Sequence, residues 1–328
     1  MLLRHLMGIA LLLSISGWSE EKTPAAPDTV NIILLHVNDV HGHLEPRVKN
    51  GKATGGYARL STLVEQVRAE SKAERVFLIH AGDEFSRGDE LTTRSKGAAN
   101  IAIMNHLKFS LWTPGNGEFY DGVPALQDRF RQAHFPSLTA NVEVTATGKI
   151  LGQPYVIEEA GPVKVAFFGL CFIHTQLLPP NELKVDTPAA TAKNLVPELR
   201  KQADLVIAVT HIGVDEDRKL AAEVEGLDVI IGGHSHTVLK EGERIKNPAG
   251  REVLLCQAGE YLNFVGQVDL KLARQAGKWQ MVESAARLIP LDDKLKLDAA
   301  VTGLIARQAE ELAQPKEAAP EEPAAAPR

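Results

Sequence analysis

The sequence predicts a layered α/β fold with helices on both outer faces, and three observations carry that prediction. Short apolar, β-branched runs recur along the chain, each bounded by glycine or polar residues, as buried strands are. Stretches of helical length and pattern alternate with those runs, the order that builds layered α/β domains. Asp, Asn and His then gather just past four of the runs, where open α/β sheets collect their ligands.

In chain order, the unbroken run 32–35 reads as the first strand and 56–71 as the first helix, followed by a strand at 76–79. Helices are expected at 97–107 and 125–132, then strands at 137–140 and 163–169. A helix at 187–202, a strand at 205–210, a helix at 216–224 and a strand at 229–231 continue the alternation. The late strands 252–257 and 266–272 flank Gln257-Ala258-Gly259 and look antiparallel. Residues 295–312 have the spacing of an amphipathic helix, whereas 314–328 are Ala, Pro and Glu with almost nothing to bury, a disordered tail. No internal repeat is evident.

The first nineteen residues differ from the rest. Arg4 precedes an apolar stretch at 8–15, and the small residues Gly17 and Ser19 follow at a spacing that signal peptidase accepts. The stretch is too short to span a bilayer, and the polar, Pro-containing segment 19–28 argues against a buried N-terminal helix. The expected organisation is a signal peptide at 1–19, a linker at 20–28, one continuous domain at 29–291, a C-terminal helix at 292–313 and the tail. Export to the periplasm or the medium follows, with no stable membrane insertion. The 328 residues are 44% apolar, enough for one large core. A net charge of −6 without a Lys/Arg stripe gives no reason to expect nucleic acid as a partner. Cys171 and Cys256 each lie in an apolar run. Two buried thiols are expected, and a disulfide would need their Cα atoms within about 7 Å.

The polar clusters read Asn38-Asp39-Val40-His41, Gly82-Asp83, Gly115-Asn116-Gly117-Glu118, Thr210-His211 and Gly232-Gly233-His234-Ser235-His236. Imidazoles, carboxylates and an amide, with no Cys among them, suit Zn, Mn or Fe.

In this order the motifs resemble the 5′-nucleotidase branch of the calcineurin-like metallophosphoesterases. Gly55-Gly56-Tyr57-Ala58-Arg59-Leu60, Ala140-Asn141-Val142 and Gln257-Ala258-Gly259-Glu260-Tyr261 match as well, so the resemblance runs over about 31–272. It implies a four-layer αββα sandwich carrying two divalent metal ions. By position, Asp39, His41, Asp83 and His236 would hold one ion, and Asp83, Asn116, His211 and His234 the other, with Asp83 bridging. It also implies a small phosphorylated substrate attacked by a hydroxide held between ions about 3.5–4 Å apart. His43 belongs to the first motif and either orients a ligand or is a solvated loop residue. His36, His80, His106, His134 and His174 match no ligand position and are expected to be structural or at the surface.

Two departures matter. Related enzymes read Gly-Asn-His-Glu-Phe-Asp where this chain has Gly115-Asn116-Gly117-Glu118-Phe119-Tyr120, so the His and Asp that assist the leaving group are replaced by Gly117 and Tyr120. Asp121 follows one position late; it is a candidate substitute or, as the plainer reading, a helix cap. Loss of an acid–base group typically costs about 10²–10⁴ in rate. The second departure is length, because full 5′-nucleotidases carry a further domain that recognises the base. The expectation is thus an exported di-metal phosphoesterase with weakened or altered chemistry. The alternatives are a metal-stabilised binding protein without turnover and the related thiosulfohydrolase sulfur chemistry. No protein partner can be named.

Overall fold

In the computed structural model, which describes residues 29–49 and 51–314, the run at 32–35 lies inside a longer strand, β1 (Thr29–Val37), buried on both faces beyond its first residues. Such two-faced burial is what an unbroken apolar run requires. β1 pairs in parallel with β4 (Arg75–His80) and antiparallel with β15 (Phe264–Gln275). β5 (Leu111–Trp112) and β16 (Lys278–Pro290) complete a five-stranded sheet in the order β16-β15-β1-β4-β5. A six-stranded sheet runs β13-β14-β12-β11-β9-β8. Its parallel centre is β9 (Val163–Cys171), β11 (Leu205–His211), β12 (Val229–Ile231) and β14 (Glu252–Cys256). Its antiparallel edges are β8 (Tyr155–Ala160) and β13 (Glu243–Lys246). A small third sheet joins β6 (Val142–Val144), β7 (Lys149–Ile150) and β10 (Leu183–Val185), and β2 (Arg47–Lys49) pairs with β3 (Lys52–Thr54).

Because strand side chains alternate between faces, each strand serves two cores. Val30, Ile32 and Leu34 of β1 meet Val163, Val165 and Phe167 of β9 between the two sheets, where the Phe77 and Phe167 rings stand edge to face at 5.0 Å. The alternate residues Ile33, Leu35 and Val37 pack beneath helices α1 (Tyr57–Glu70), α3 (Ala98–His106) and α7 (Ala299–Ala313). On the far side, Ala166, Phe168 and Leu170 pack beneath α5 (Pro188–Leu199) and α6 (Val214–Glu223). Three apolar interfaces thus separate four layers, the expected αββα sandwich. Each fully buried Leu, Ile or Phe contributes about 1.5–3 kcal/mol to holding it.

The expected strand at 137–140 takes another form. Leu138 donates its N–H to Trp112 of one sheet and Ala140 donates to Gly169 of the other, so the segment ties the sheets together and extends neither ladder. The short α2 (Glu90–Ser95) and the strands β8 and β16 have weak patterns and were not expected; α4 (Val123–Gln132) begins slightly earlier than its apolar spacing implies. α7 is anchored by Asp298, which accepts N–H bonds from Ala300 and Val301 and the hydroxyl of Ser61 at 2.7 Å. His36 is fully buried opposite Gly266, where even a Cβ would come within 1.9 Å of its ring, and burial lowers its pKa to about 4. Both cysteines are buried free thiols, and burial pushes Cys256 up to about 12. The export signal, the linker and residues 315–328 of the tail lie outside the described residues. No helix among the described residues is long and apolar enough to cross a membrane.

Candidate metal centre

The loops that leave the carboxyl ends of the strands are stitched together before any side chain of the cluster is considered. The backbone N–H groups of Asp39, His41 and Gly42 donate to the carbonyls of Gly82, Asp83 and Glu84 at 2.8, 2.8 and 2.6 Å, so the turns after β1 and β4 run side by side. Glu118 binds the next turn. Its buried carboxylate accepts the N–H groups of Asp83, Phe85 and Gly115 at 2.9, 2.9 and 2.6 Å. Burial, reinforced by the Asp83 charge, raises its pKa to about 8. Asn38 ties in the β14–β15 connection by donating to Asp39 and to the Gly259 carbonyl, both at 2.7 Å, and accepting from Ala258. On the second sheet, Gln257 donates to the Gly233 carbonyl and accepts from Ser235, fixing the turn after β12.

Five residues of the expected ligand set adopt left-handed backbone: Asp39, His41, Asp83, His234 and His236, with φ of 51°, 51°, 54°, 76° and 54°. For a side chain other than glycine's this costs about 1–3 kcal/mol each, and such strain gathers at functional sites. It turns the side chains inward. His236 Nε2 lies 3.2 Å from Asp39 Oδ1 and 3.1 Å from His41 Nε2. Asp83 reaches both sides, with Oδ1 3.4 Å from His211 Nε2 and Oδ2 3.8 Å from His41 Nε2. His234 stacks edgewise on His211 with ring centroids 5.1 Å apart, and its backbone N–H donates to Asp39 Oδ2 at 2.9 Å. Two sets of ligand atoms close enough to hold an ion result, Asp39–His41–His236 and Asp39–Asp83–His211. They overlap at Asp39, whereas the position-by-position expectation makes Asp83 the shared ligand. Asp83 alone presents its two oxygens to opposite sides, so the geometry is compatible with both descriptions.

The donor atoms are prepared for a cation. His211 donates Nδ1–H to the Ala81 carbonyl at 2.8 Å, and His236 Nδ1 faces Glu260 at 2.6 Å, which leaves both Nε2 atoms turned to the cluster. Asn116 donates from Nδ2 to the Tyr120 hydroxyl at 2.8 Å, which turns Oδ1 the other way. Three buried atoms, Asp39 Oδ1, Asn116 Oδ1 and His211 Nε2, have no hydrogen-bond partner among the described residues. Each would cost about 1–3 kcal/mol if left unmet, and oxygen and nitrogen acceptors of this kind fit a bound cation. Without one, charge pairing takes over. Burial opposes a charge on His211, but Asp83 and Asp39 outweigh it and push its pKa up to about 10. Burial likewise opposes the Asp83 charge, yet His211, His41 and the Gly117 N–H hold its carboxyl well below the usual range.

Five of the seven expected ligands thus fall in these two sets, His234 packs on His211, and Asn116 lies in the turn whose Gly117 N–H binds Asp83. His43 does not touch them; it stands edge to face with Tyr261 at 4.8 Å, and Tyr261 in turn lies 5.8 Å from the His41 ring. Asp121 is exposed and is not the helix cap, since α4 begins after Gly122 with no side-chain cap. His106 and His134 are at the surface, and His80 is a buried partner of Glu84 at 2.8 Å. His174, in contrast, packs on Phe172 beside His234. Sequence reasoning gave no role to Asn38, Glu118, Glu260 or Arg87. Arg87 follows the Gly82-Asp83 motif and donates to His41 Nδ1 at 3.4 Å from the exposed mouth, and its closeness to that motif was the one available signal.

A four-layer sandwich with an Asp/His cluster across its strand ends defines a class of hydrolase, and the family comparison agrees. The family description "Calcineurin-like phosphoesterase" matches residues 32–238, and the chain belongs to that family of phosphoesterase hydrolases, which use divalent metals. Among its relatives, human 5′-nucleotidase is 36% identical over 258 residues, 73% of this chain and 42% of that protein. The trifunctional nucleotide phosphoesterase protein YfkN of Bacillus subtilis is 30% identical over 80% of this chain and 19% of its own length. The crystal structure of a 5′-nucleotidase precursor from Thermus thermophilus superposes with a TM-score of 0.78 at 28% identity, covering 86% of this chain and 59% of that one. The chain thus spans about half or less of the length of the curated relatives it matches here.

Proposed function

We propose that this chain is an exported phosphoesterase of the 5′-nucleotidase type that uses two divalent ions, Zn, Mn or Fe, on a small phosphomonoester or phosphodiester. One observation carries the reading: Asp39, His41, Asp83, His211 and His236 form two overlapping sets of ligand atoms, beside which Asp39 Oδ1, Asn116 Oδ1 and His211 Nε2 are buried acceptors without a partner among the described residues. Asp39, His41, Asp83 and His236 would hold one ion, and Asp83, Asn116, His211 and His234 the other. Bound there, divalent ions supply Lewis acidity and bring the pKa of water to about 7. The export half of the reading rests on the sequence of residues 1–19 alone.

The chain's own residues supply the rest. Ala81 and Glu260 fix the Nδ1 side of His211 and His236, and the Gly117 N–H holds Asp83 Oδ1 at 2.7 Å. Tyr120, half exposed, accepts from Asn116 and keeps its own proton free for a phosphoryl oxygen. Arg87 offers a positive charge at the mouth. Position 117 delivers no proton, and a Cβ there would lie 2.7 Å from Ser86 Oγ, so Ser86 occupies space a larger residue would need. Substrates with good leaving groups are therefore favoured.

The test is hydrolysis of p-nitrophenyl phosphate, bis(p-nitrophenyl) phosphate and AMP by the Mn²⁺- or Zn²⁺-loaded protein, with Asp83→Asn as background. Turnover of the activated esters that vanishes in the variant is expected. A metal-loaded protein inert toward all three would overturn the proposal.

A further inference from the structure

Beside the cluster, the chain forms a cavity of about 500 Å³ that includes His234 in its wall. The rest of that wall is mixed, apolar at Cys171, Phe172, Ile173 and Ile212 and polar elsewhere, with Asp186 and Glu216 among its polar residues. Its size and its apolar side are those of a small-molecule site. A larger cavity, about 820 Å³, lies at the opposite end of the strands among Lys164, Arg200, Arg251 and Lys278 and reaches none of the cluster residues. The smaller one shares one side chain, His234, with the candidate metal centre.

Two rings stand at that junction. Phe172 is 40% exposed, an unusual fraction for a phenylalanine that follows a buried strand, and its ring lies 5.2 Å from His234 and 4.9 Å from His174. The strand fixes its position: Phe172 N–H donates to the His211 carbonyl at 2.9 Å, which locks the residue to the backbone of another cluster residue. Isolated exposed apolar side chains are ordinary, but this one borders a cavity and touches a member of the cluster. Ile173 and Ile212, each only 7% exposed, form a firm floor beside it.

We propose that this cavity seats the leaving group of the substrate, and that the preferred leaving group is a planar aromatic alcohol packed against Phe172 and His234. The inference rests on the phosphoesterase reading for the position of the phosphate, which the cluster would hold while the organic part extends past His234. Rings pair edge to face or offset at centroid separations of about 4.5–7 Å, the spacing the Phe172, His174 and His234 rings already keep among themselves. An aliphatic ring fills space equally well but gains no such pairing.

The experiment compares 1-naphthylmethyl phosphate with cyclohexylmethyl phosphate, whose leaving alcohols have similar acidity, and measures binding of the non-hydrolysable 1-naphthylmethylphosphonate to the metal-loaded protein. The naphthyl ester should be preferred about tenfold in kcat/KM, with the difference lying in KM. Phe172→Ala should reduce that preference to about twofold and weaken phosphonate binding by a similar factor, with Phe172→Leu intermediate. An unchanged preference and unchanged phosphonate binding in Phe172→Ala would overturn the inference. If neither ester is hydrolysed, phosphonate affinity in the variants still decides whether the cavity binds the aromatic group, while turnover of p-nitrophenyl phosphate in the same preparation decides the phosphoesterase reading separately. A native melting temperature of the half-exposed Phe172 variants separates lost binding from lost folding.

Discussion

Two buried aspartates at opposite ends of the same sandwich show what separates a structural carboxylate from one kept for chemistry. Asp228, 2% exposed at the amino ends of the strands, is held by cations: Oδ2 accepts the Val206 N–H at 2.9 Å and pairs with Arg200, and Oδ1 has Arg251 at 3.8 Å. Asp39, 0% exposed at the carboxyl ends, has one satisfied oxygen and one without a partner, on a backbone with φ of 51°. Burial is the same and the surroundings differ. A carboxylate paired with arginines stabilises the fold, whereas one left open, on strained backbone and among imidazoles, is suited to a ligand.

The contrast can be broken most sharply at Asp39. Asp39→Asn should lower kcat/KM for p-nitrophenyl phosphate on the order of 10³-fold with little change in melting temperature, as expected for an electrostatic group at a reaction centre. Asp228→Ala should do the reverse. It leaves Arg200 without its carboxylate and should cost about 3–5 kcal/mol in urea unfolding, while the folded fraction keeps its activity. If Asp228→Ala removed activity without destabilising the chain, the division between the two ends would be wrong.

Asp217 sharpens the comparison from a third position, just behind the cluster. It accepts the Thr210 hydroxyl at 2.6 Å but has no other partner for Oδ2 among the described residues, and burial raises its pKa to about 7. Unfolded, the group titrates at about 3.9. Between those values the native state holds a proton that the unfolded state has released, so stability falls as pH rises, by about 1.4 kcal/mol per pH unit. The contribution is complete below about pH 4 and lost by about pH 7 to 8. Urea titrations of the metal-free protein should show that slope in the wild type and a flatter profile in Asp217→Asn; parallel profiles would exclude it. The smallest expected effect belongs to Tyr120→Phe, which removes one hydrogen-bond donor and should reduce kcat/KM for p-nitrophenyl phosphate by about 2–10-fold.

How much of this was legible in the sequence depends on whether the cause is local. Unbroken apolar runs such as 205–210 announced their strands because burial on both faces needs no partner to be recognised, and the Asp and His residues after them announced the site. The segment 137–140 was misread as a strand because its donors go to Trp112 and Gly169 in two different sheets, a relation set only by tertiary packing. The supports were equally hidden. Asn38 works through Gly259 and Ala258, more than two hundred residues away, and Glu118 through backbone N–H groups of Asp83 and Phe85. Composition could not show that five cluster residues would take left-handed backbone. Nor could it show that Asp121, so close to the motif, would stand exposed at the surface.

The central claim is that the Asp/His cluster works as a metal centre for phosphoester hydrolysis. The most direct measurement follows p-nitrophenyl phosphate turnover by residues 20–328 as purified, after chelation and dialysis, and after Mn²⁺ or Zn²⁺ is restored. Activity that disappears with the metal and returns with it, at about two ions per chain, is the predicted result. Turnover that survives complete removal of metal, or none after full loading, would contradict the account.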